Sequence, residues 1–239
     1  MKKRKRSADG FSLVELLVGT ILFTIVTGIA FSLLMSAQLR YQGESTVTEA
    51  FQQANVALDQ IVRDVHSAGY PPANSFAAGV ALNNPNLVAL PFSWSPGYTN
   101  APPTPCTVGG SCGAVPGDYD VIVEADLGNG VQLIRYSLVG TTLMRGMAPK
   151  APFADPVGST TGLLVPYLEN VQNGPGNKSL PIFSYGYDCI SPPPPPQPSN
   201  ICKVNITLIV QSARPDPQTG QFRTITLTGQ AARFNNPNN

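Results

Sequence analysis

The chain has 239 residues, 42% of them hydrophobic and only 12% charged, with 24 Pro, 22 Gly and a formal net charge of +1. That apolar share excludes a disordered chain, and a charged share about half the usual one leaves a turn-rich protein with few ion pairs. Nothing in the charge suggests a nucleic-acid groove: five of the 15 basic residues are Lys2, Lys3, Arg4, Lys5 and Arg6, and beyond residue 10 ten basic side chains face 13 acidic ones.

After this basic cluster, Leu16 to Leu39 form a run of 24 residues without a charge. As a helix rising ~1.5 Å per residue the run is about 36 Å long, enough to cross a ~30 Å hydrocarbon core. The basic cluster stays on the cytoplasmic side by the positive-inside rule, so everything after Arg40 is expected on the other face. A secretory signal places its small-residue cleavage site after the apolar core. Here the order is inverted, because Gly10 precedes the run in Gly10-Phe11-Ser12-Leu13-Val14-Glu15. A cut after Gly10 removes the basic leader and leaves the apolar helix on the mature chain.

Glu15 is the odd residue of that helix. A carboxylate costs roughly 2.5 to 3.5 kcal/mol at a membrane centre and less near its surface, so a compensating charge is expected. The α-amino group that cleavage would create on Phe11 is one, and among parallel subunits the amine of one chain can meet Glu15 of another. A plain signal-anchor with Glu15 resting at the interface is the simpler alternative.

The G-F-S-L-V-E sequence, after a short basic leader and before about 20 apolar residues, resembles the class III signal of type IV prepilins and pseudopilins. The resemblance implies cleavage between Gly10 and Phe11 by the membrane aspartyl prepilin peptidase, N-methylation of Phe11, and Glu15 as the residue that sets filament register. The implied partners are that peptidase, other pilins or pseudopilins through the N-terminal helix, and the inner membrane. The implied role is that of a substrate of the peptidase and a structural subunit, not an enzyme.

Beyond the membrane segment, Val47, Phe51, Ala54, Leu58, Ile61 and Val65 recur at helical spacing, while Gln52, Gln53, Asp59, Gln60, Arg63 and Asp64 occupy other faces. No proline precedes Pro71, so one helix is expected from Phe11 to His66, ending at Ser67-Ala68-Gly69-Tyr70-Pro71-Pro72. His66 reads as a polar residue near the helix end. Major pilins often carry a proline in the first half of this helix; its absence here leans toward a minor pilin or pseudopilin.

The period then changes to alternation, predicting strands at Tyr119–Ala125, Val131–Val139, Ile182–Tyr187, Val204–Gln211 and Phe222–Gly229. Asp126-Leu127-Gly128-Asn129-Gly130 and Pro215 to Gly220 supply hairpin turns. Asp118, Asp120, Asp126 and Asn129 could be weighed as calcium ligands, but Asp126-x-x-Asn129-Gly130 offers two side chains and makes a good turn without metal. No cofactor is expected.

Cys106 and Cys112, and Cys189 and Cys202, form two close pairs in a chain that looks exported, which makes disulfides the first reading. Zinc competes, although C-x5-C and C-x12-C lack the short knuckle and His66 is the single histidine. Pro192 to Pro196, inside the second pair, predicts a stiff projecting loop. No nucleophile elbow or phosphate loop occurs.

The expected fold class is α+β and pilin-like: a long N-terminal helix, transmembrane then amphipathic, packed on an antiparallel β-sheet. The expected parts are a removed leader (1–10), a transmembrane and assembly helix (11–39), its amphipathic continuation (40–68) and an extracytoplasmic β-rich domain (69–239). The Ala68-Gly69-Tyr70 exit, the late hairpins and the two cysteine pairs look like PilW-type minor pilins, with the J-type minor pseudopilin of type II secretion as the nearest rival. A membrane-anchored binding or adhesin domain that never polymerises is the rival from another class.

Overall fold

A computed structural model describes residues 12–77, 79–93, 117–152, 155–188, 193 and 200–233. Helix α1 runs without a break over Leu13–His66. Its 54 residues span about 80 Å. The helix thus occupies the predicted span from Leu13 onward, Phe11 lying outside the described residues.

The strands are β1 (Asp120–Asp126), β2 (Val131–Val139), β3 (Thr142–Pro149), β4 (Val165–Leu168), β5 (Phe183–Gly186), β6 (Lys203–Gln211) and β7 (Thr224–Ala232). Short helix α2 (Val80–Asn83) precedes β1, and α3 (Pro156–Thr161) lies between β3 and β4. The single expected sheet is two: a four-stranded one in the order β1-β2-β3-β4 and a three-stranded one in the order β5-β6-β7, with every pair antiparallel. They are stitched together after β4, where Val171 bridges Val210 and the Gln172 amide donates to the Ile209 carbonyl.

Strands β3 and β4 are additions to the sequence reading, and each breaks the pattern that reveals a strand. β3 carries Gly146, at which a Cβ would come within 3.2 Å of the Leu163 carbonyl group, so a bare backbone lets the α3–β4 connection approach. β4 has four residues and contains Pro166, which suits only an edge.

One hydrophobic core joins α1 to both sheets. Ala54, Ala57, Ile61 and Val65 from the helix pack with Val123, Ile134, Tyr136, Val204, Ile206, Leu208 and Ala231. Alanine dominates the helix side, so the backbone of α1 comes close to the strands. At Gly229 on β7 the approach is closest, because a Cβ there would lie 2.8 Å from Cδ1 of Leu58. Along β7, Thr224, Thr226 and Thr228 are exposed while Ile225 and Leu227 pack on the core, giving the two-faced strand that its alternation predicts.

Two helix positions differ from the sequence reading. Phe51 is 44% exposed and Asp64 only 2%. Of the predicted stripe Ala54, Leu58, Ile61 and Val65 are buried, and Ala50, Ala57 and Asp64 join them, so that the buried line leaves the predicted one only at its N-terminal end.

Candidate functional site: the N-terminal helix

Helix α1 is two different surfaces in one rod. None of residues 12–42 is buried, although Leu16, Leu17, Ile21, Leu22, Phe23, Ile25, Val26, Phe31 and Leu34 are large and apolar. From Gly43 onward buried positions recur along one side. An apolar surface of this length left bare on a folded chain requires lipid or other protein around it.

At the start of the rod Ser12 is the N-cap and Glu15 stands three residues on, the residue pair of a capping box. The Ser12 amide lies 3.4 Å from Oε2 of Glu15, a long contact within reach of tightening. Among the described residues the carboxylate faces its own helix N-terminus, where the helix dipole favours an anion. Gly10 and Phe11, the expected cleavage pair, lie outside the described residues.

Residues 5–31 match the prokaryotic N-terminal methylation motif. The matched segment begins in the basic cluster and ends well inside the exposed half of α1. It supports a type IV pilin-like chain, processed by prepilin peptidase and assembling with other pilins, and together with the apolar helix it indicates membrane anchoring. No curated protein and no solved structure matches the chain.

The other end of the rod is fixed to the domain by polar groups. Asp64 Oδ2 accepts a 2.6 Å hydrogen bond from the Tyr136 hydroxyl and contacts at 3.0 and 3.3 Å from Nη2 and Nε of Arg145. Its other oxygen accepts from Gln60 Nε2 at 2.8 Å. The Arg145 guanidinium also lies 5.7 Å from the Tyr136 ring centroid and 6.0 Å from that of Tyr167, within cation–π range. Burial pushes the Tyr136 phenol far above its ordinary range, and the Asp64 charge adds to the effect. For Arg145 burial acts downward but is outweighed by Tyr136 and Asp64, so its pKa is raised. His66 completes the attachment, its Nδ1 hydrogen-bonded to the Ala232 carbonyl of β7.

After the helix, residues 69–70 and 92–93 line the outer edge of β1. The Gly69 amide donates to the Glu124 carbonyl and the Ser93 amide to that of Ile122. The Glu124 side chain is buried and accepts from the Leu90 amide (2.8 Å), the Ser93 hydroxyl and Lys150 Nζ (2.5 Å). On the same face of β1 Asp120 pairs with Arg135 at 2.5 Å. These ion pairs hold the scaffold; the sequence offered no sign of them, since their members stand 15 to 81 residues apart.

Two of the acidic positions weighed for calcium are occupied otherwise. Asp120 is paired with Arg135, and Asp126 Oδ1 accepts from the amides of Gly128 (2.7 Å) and Gly130 (3.1 Å), closing the β1–β2 turn. Both glycines have positive φ, 106° and 86°, which a side chain would resist. Among the described residues no cluster of three or more His, Cys, Asp or Glu could hold a metal. Cys202 is disulfide-bonded; Cys106, Cys112 and Cys189 lie outside the described residues.

Proposed function

We propose that this chain is a minor pilin-like structural subunit of a type IV pilus. Its leader is removed between Gly10 and Phe11, Phe11 is N-methylated, and the subunit is held in the inner membrane by α1 with its β-rich domain on the extracytoplasmic side. It then enters the filament through the same helix. The observation that carries this reading is the uncovered half of α1, residues 12–42, into which the methylation motif of residues 5–31 runs. On this reading the chain is a substrate and building block, not an enzyme.

Glu15 gives the assembly step its chemistry. Among the described residues its hydrogen-bond donor is the Ser12 amide at 3.4 Å, a weak substitute for a full positive charge. A neighbour's Phe11 ammonium would supply one in surroundings of low dielectric, where a paired charge is far cheaper than a lone one. Mispairing leaves two unmatched charges among apolar helices, which fixes the axial register of packing.

The test is intact-mass and N-terminal analysis of the protein from membranes of cells with and without prepilin peptidase. A peptidase-dependent N-methylated Phe11 is expected. An uncut chain in both strains would instead make this an anchored domain that does not polymerise. Recovery of the processed subunit with secretion machinery rather than pili would move it to the pseudopilins.

A further inference from the structure

Along α1 the first buried residue is Gly43, and the β6–β7 turn stands against it. A Cβ at Gly43 would lie 3.5 Å from Cδ of Pro217 and 3.7 Å from the Asp216 carboxylate. Gly43 is four residues past Leu39, the last of the uncharged run, or about 6 Å along the helix axis. The headgroup layer on each side of a bilayer is roughly 5 to 7 Å deep. A turn that touches Gly43 therefore stands at headgroup level when the run fills the hydrocarbon core.

The turn is built to hold a shape. The Asp216 amide donates to the Gln221 carbonyl and the Gly220 amide to the Asp216 carbonyl, both at 2.8 Å. Asp216 Oδ1 accepts from the Gln218 amide at 2.8 Å, and the Ser212 hydroxyl accepts from the Arg223 amide at 3.1 Å. The Asp216 carboxylate is paired with Arg223, so the one acid of the turn is neutralised within it. Arg214 and Phe222 are exposed on this turn, the latter 50%, and Arg40 precedes Gly43 on the helix by three residues, on nearly the same face. Glu44 is the nearest acid on the helix. Amphipathic side chains, aromatic or with a long apolar stem and a charged head, suit a lipid–water interface at this depth.

We propose that the β6–β7 turn is a second, peripheral membrane contact, which seats Phe222 and Arg214 in the headgroup layer of an anionic phospholipid surface. The proposal rests on the reading that α1 spans the bilayer. It gives the unassembled subunit a fixed orientation: the unbroken helix alone leaves its own tilt and rotation in the bilayer open, whereas helix and turn together define two points of contact.

The test uses the full chain in vesicles whose lipids carry bromine near the headgroup end of the acyl chains. The single tryptophan is removed as Trp94→Phe and a reporter placed by Phe222→Trp; a second reporter, Leu22→Trp, is read with bromine deep in the chains. The indole at position 222 is expected to lose most of its emission, more strongly with anionic than zwitterionic lipid, and Arg214→Glu is expected to abolish that excess while Arg214→Lys keeps it. Quenching at position 22 without quenching at 222 overturns the proposal and leaves the spanning helix standing. Quenching at neither removes the spanning reading and the proposal with it. Equal quenching in both lipids, indifferent to Arg214→Glu, refutes the anionic contact.

Discussion

The Asp64 carboxylate on α1 and the Tyr136 hydroxyl on β2, 72 residues apart in sequence, share a buried 2.6 Å hydrogen bond. Arg145 on β3 closes the group by meeting the same carboxylate oxygen at 3.0 Å. Any force transmitted from an assembled helix to the domain passes beside this lock. Removing one member of a buried ion pair costs about 3–5 kcal/mol, because the remaining charge is stranded. Arg145→Met is therefore expected to destabilise the domain by that order in urea unfolding of the full chain in detergent. The double variant Asp64→Leu with Arg145→Met should recover much of the loss. Equal stability of Arg145→Met and the parent would show that the pair does not hold the helix.

Alkaline pH should find the same group from another side. A phenol whose pKa is raised by folding contributes stability that is complete below its ordinary value near 10 and is lost as pH rises. Tyr136 is raised by burial and then by Asp64, and burial pushes Tyr187 up to about 12. Of the eight tyrosines, these two are expected to ionise last in a tyrosinate absorbance titration of the folded chain. Stability should fall from pH 10 upward, less steeply in Tyr136→Phe after correction for its lower starting stability.

Gly229 tests how closely α1 lies on β7. A Cβ there would stand 2.8 Å from Cδ1 of Leu58, too close without movement. Gly229→Val is expected to cost roughly 1–3 kcal/mol through overpacking. Leu58→Ala in the same chain should relieve part of that cost, and a double-mutant cycle in thermal unfolding reads the coupling directly.

For the assembly end, Gly10→Ala is expected to impair leader removal, visible as a heavier band on immunoblots. Glu15→Ala should leave processing and membrane insertion intact but abolish incorporation into sheared filaments. Normal incorporation of Glu15→Ala would refute the pairing of Glu15 with a neighbouring amine.

The disulfide of Cys202 sits at the entry to β6, so its loss is expected to reach the core strand. We expect Cys189 as its partner, closing a loop of the size that stabilises by about 3 kcal/mol in the loop-entropy model. Non-reducing peptide mapping identifies the partner. Cys202→Ser should lower the unfolding midpoint by an amount that reductant reproduces in the parent chain.

The sequence by itself determined the long helix, its apolar half and the N-terminal methylation motif of residues 5–31, since each depends on residues close together in the chain, 24 of them in a row without a charge. It determined β2 and β6 as well, because alternation is a local signal. Tertiary structure alone decided that Asp64 faces inward and Phe51 outward, because partners 72 and 81 positions away make the buried carboxylate affordable. It also decided the division into two sheets, with β3 and β4 hidden from pattern reading by Gly146 and Pro166. Last, it brought the β6–β7 turn onto Gly43: helical spacing tells which residues share a face, but only the folded chain tells what comes to lie against that face.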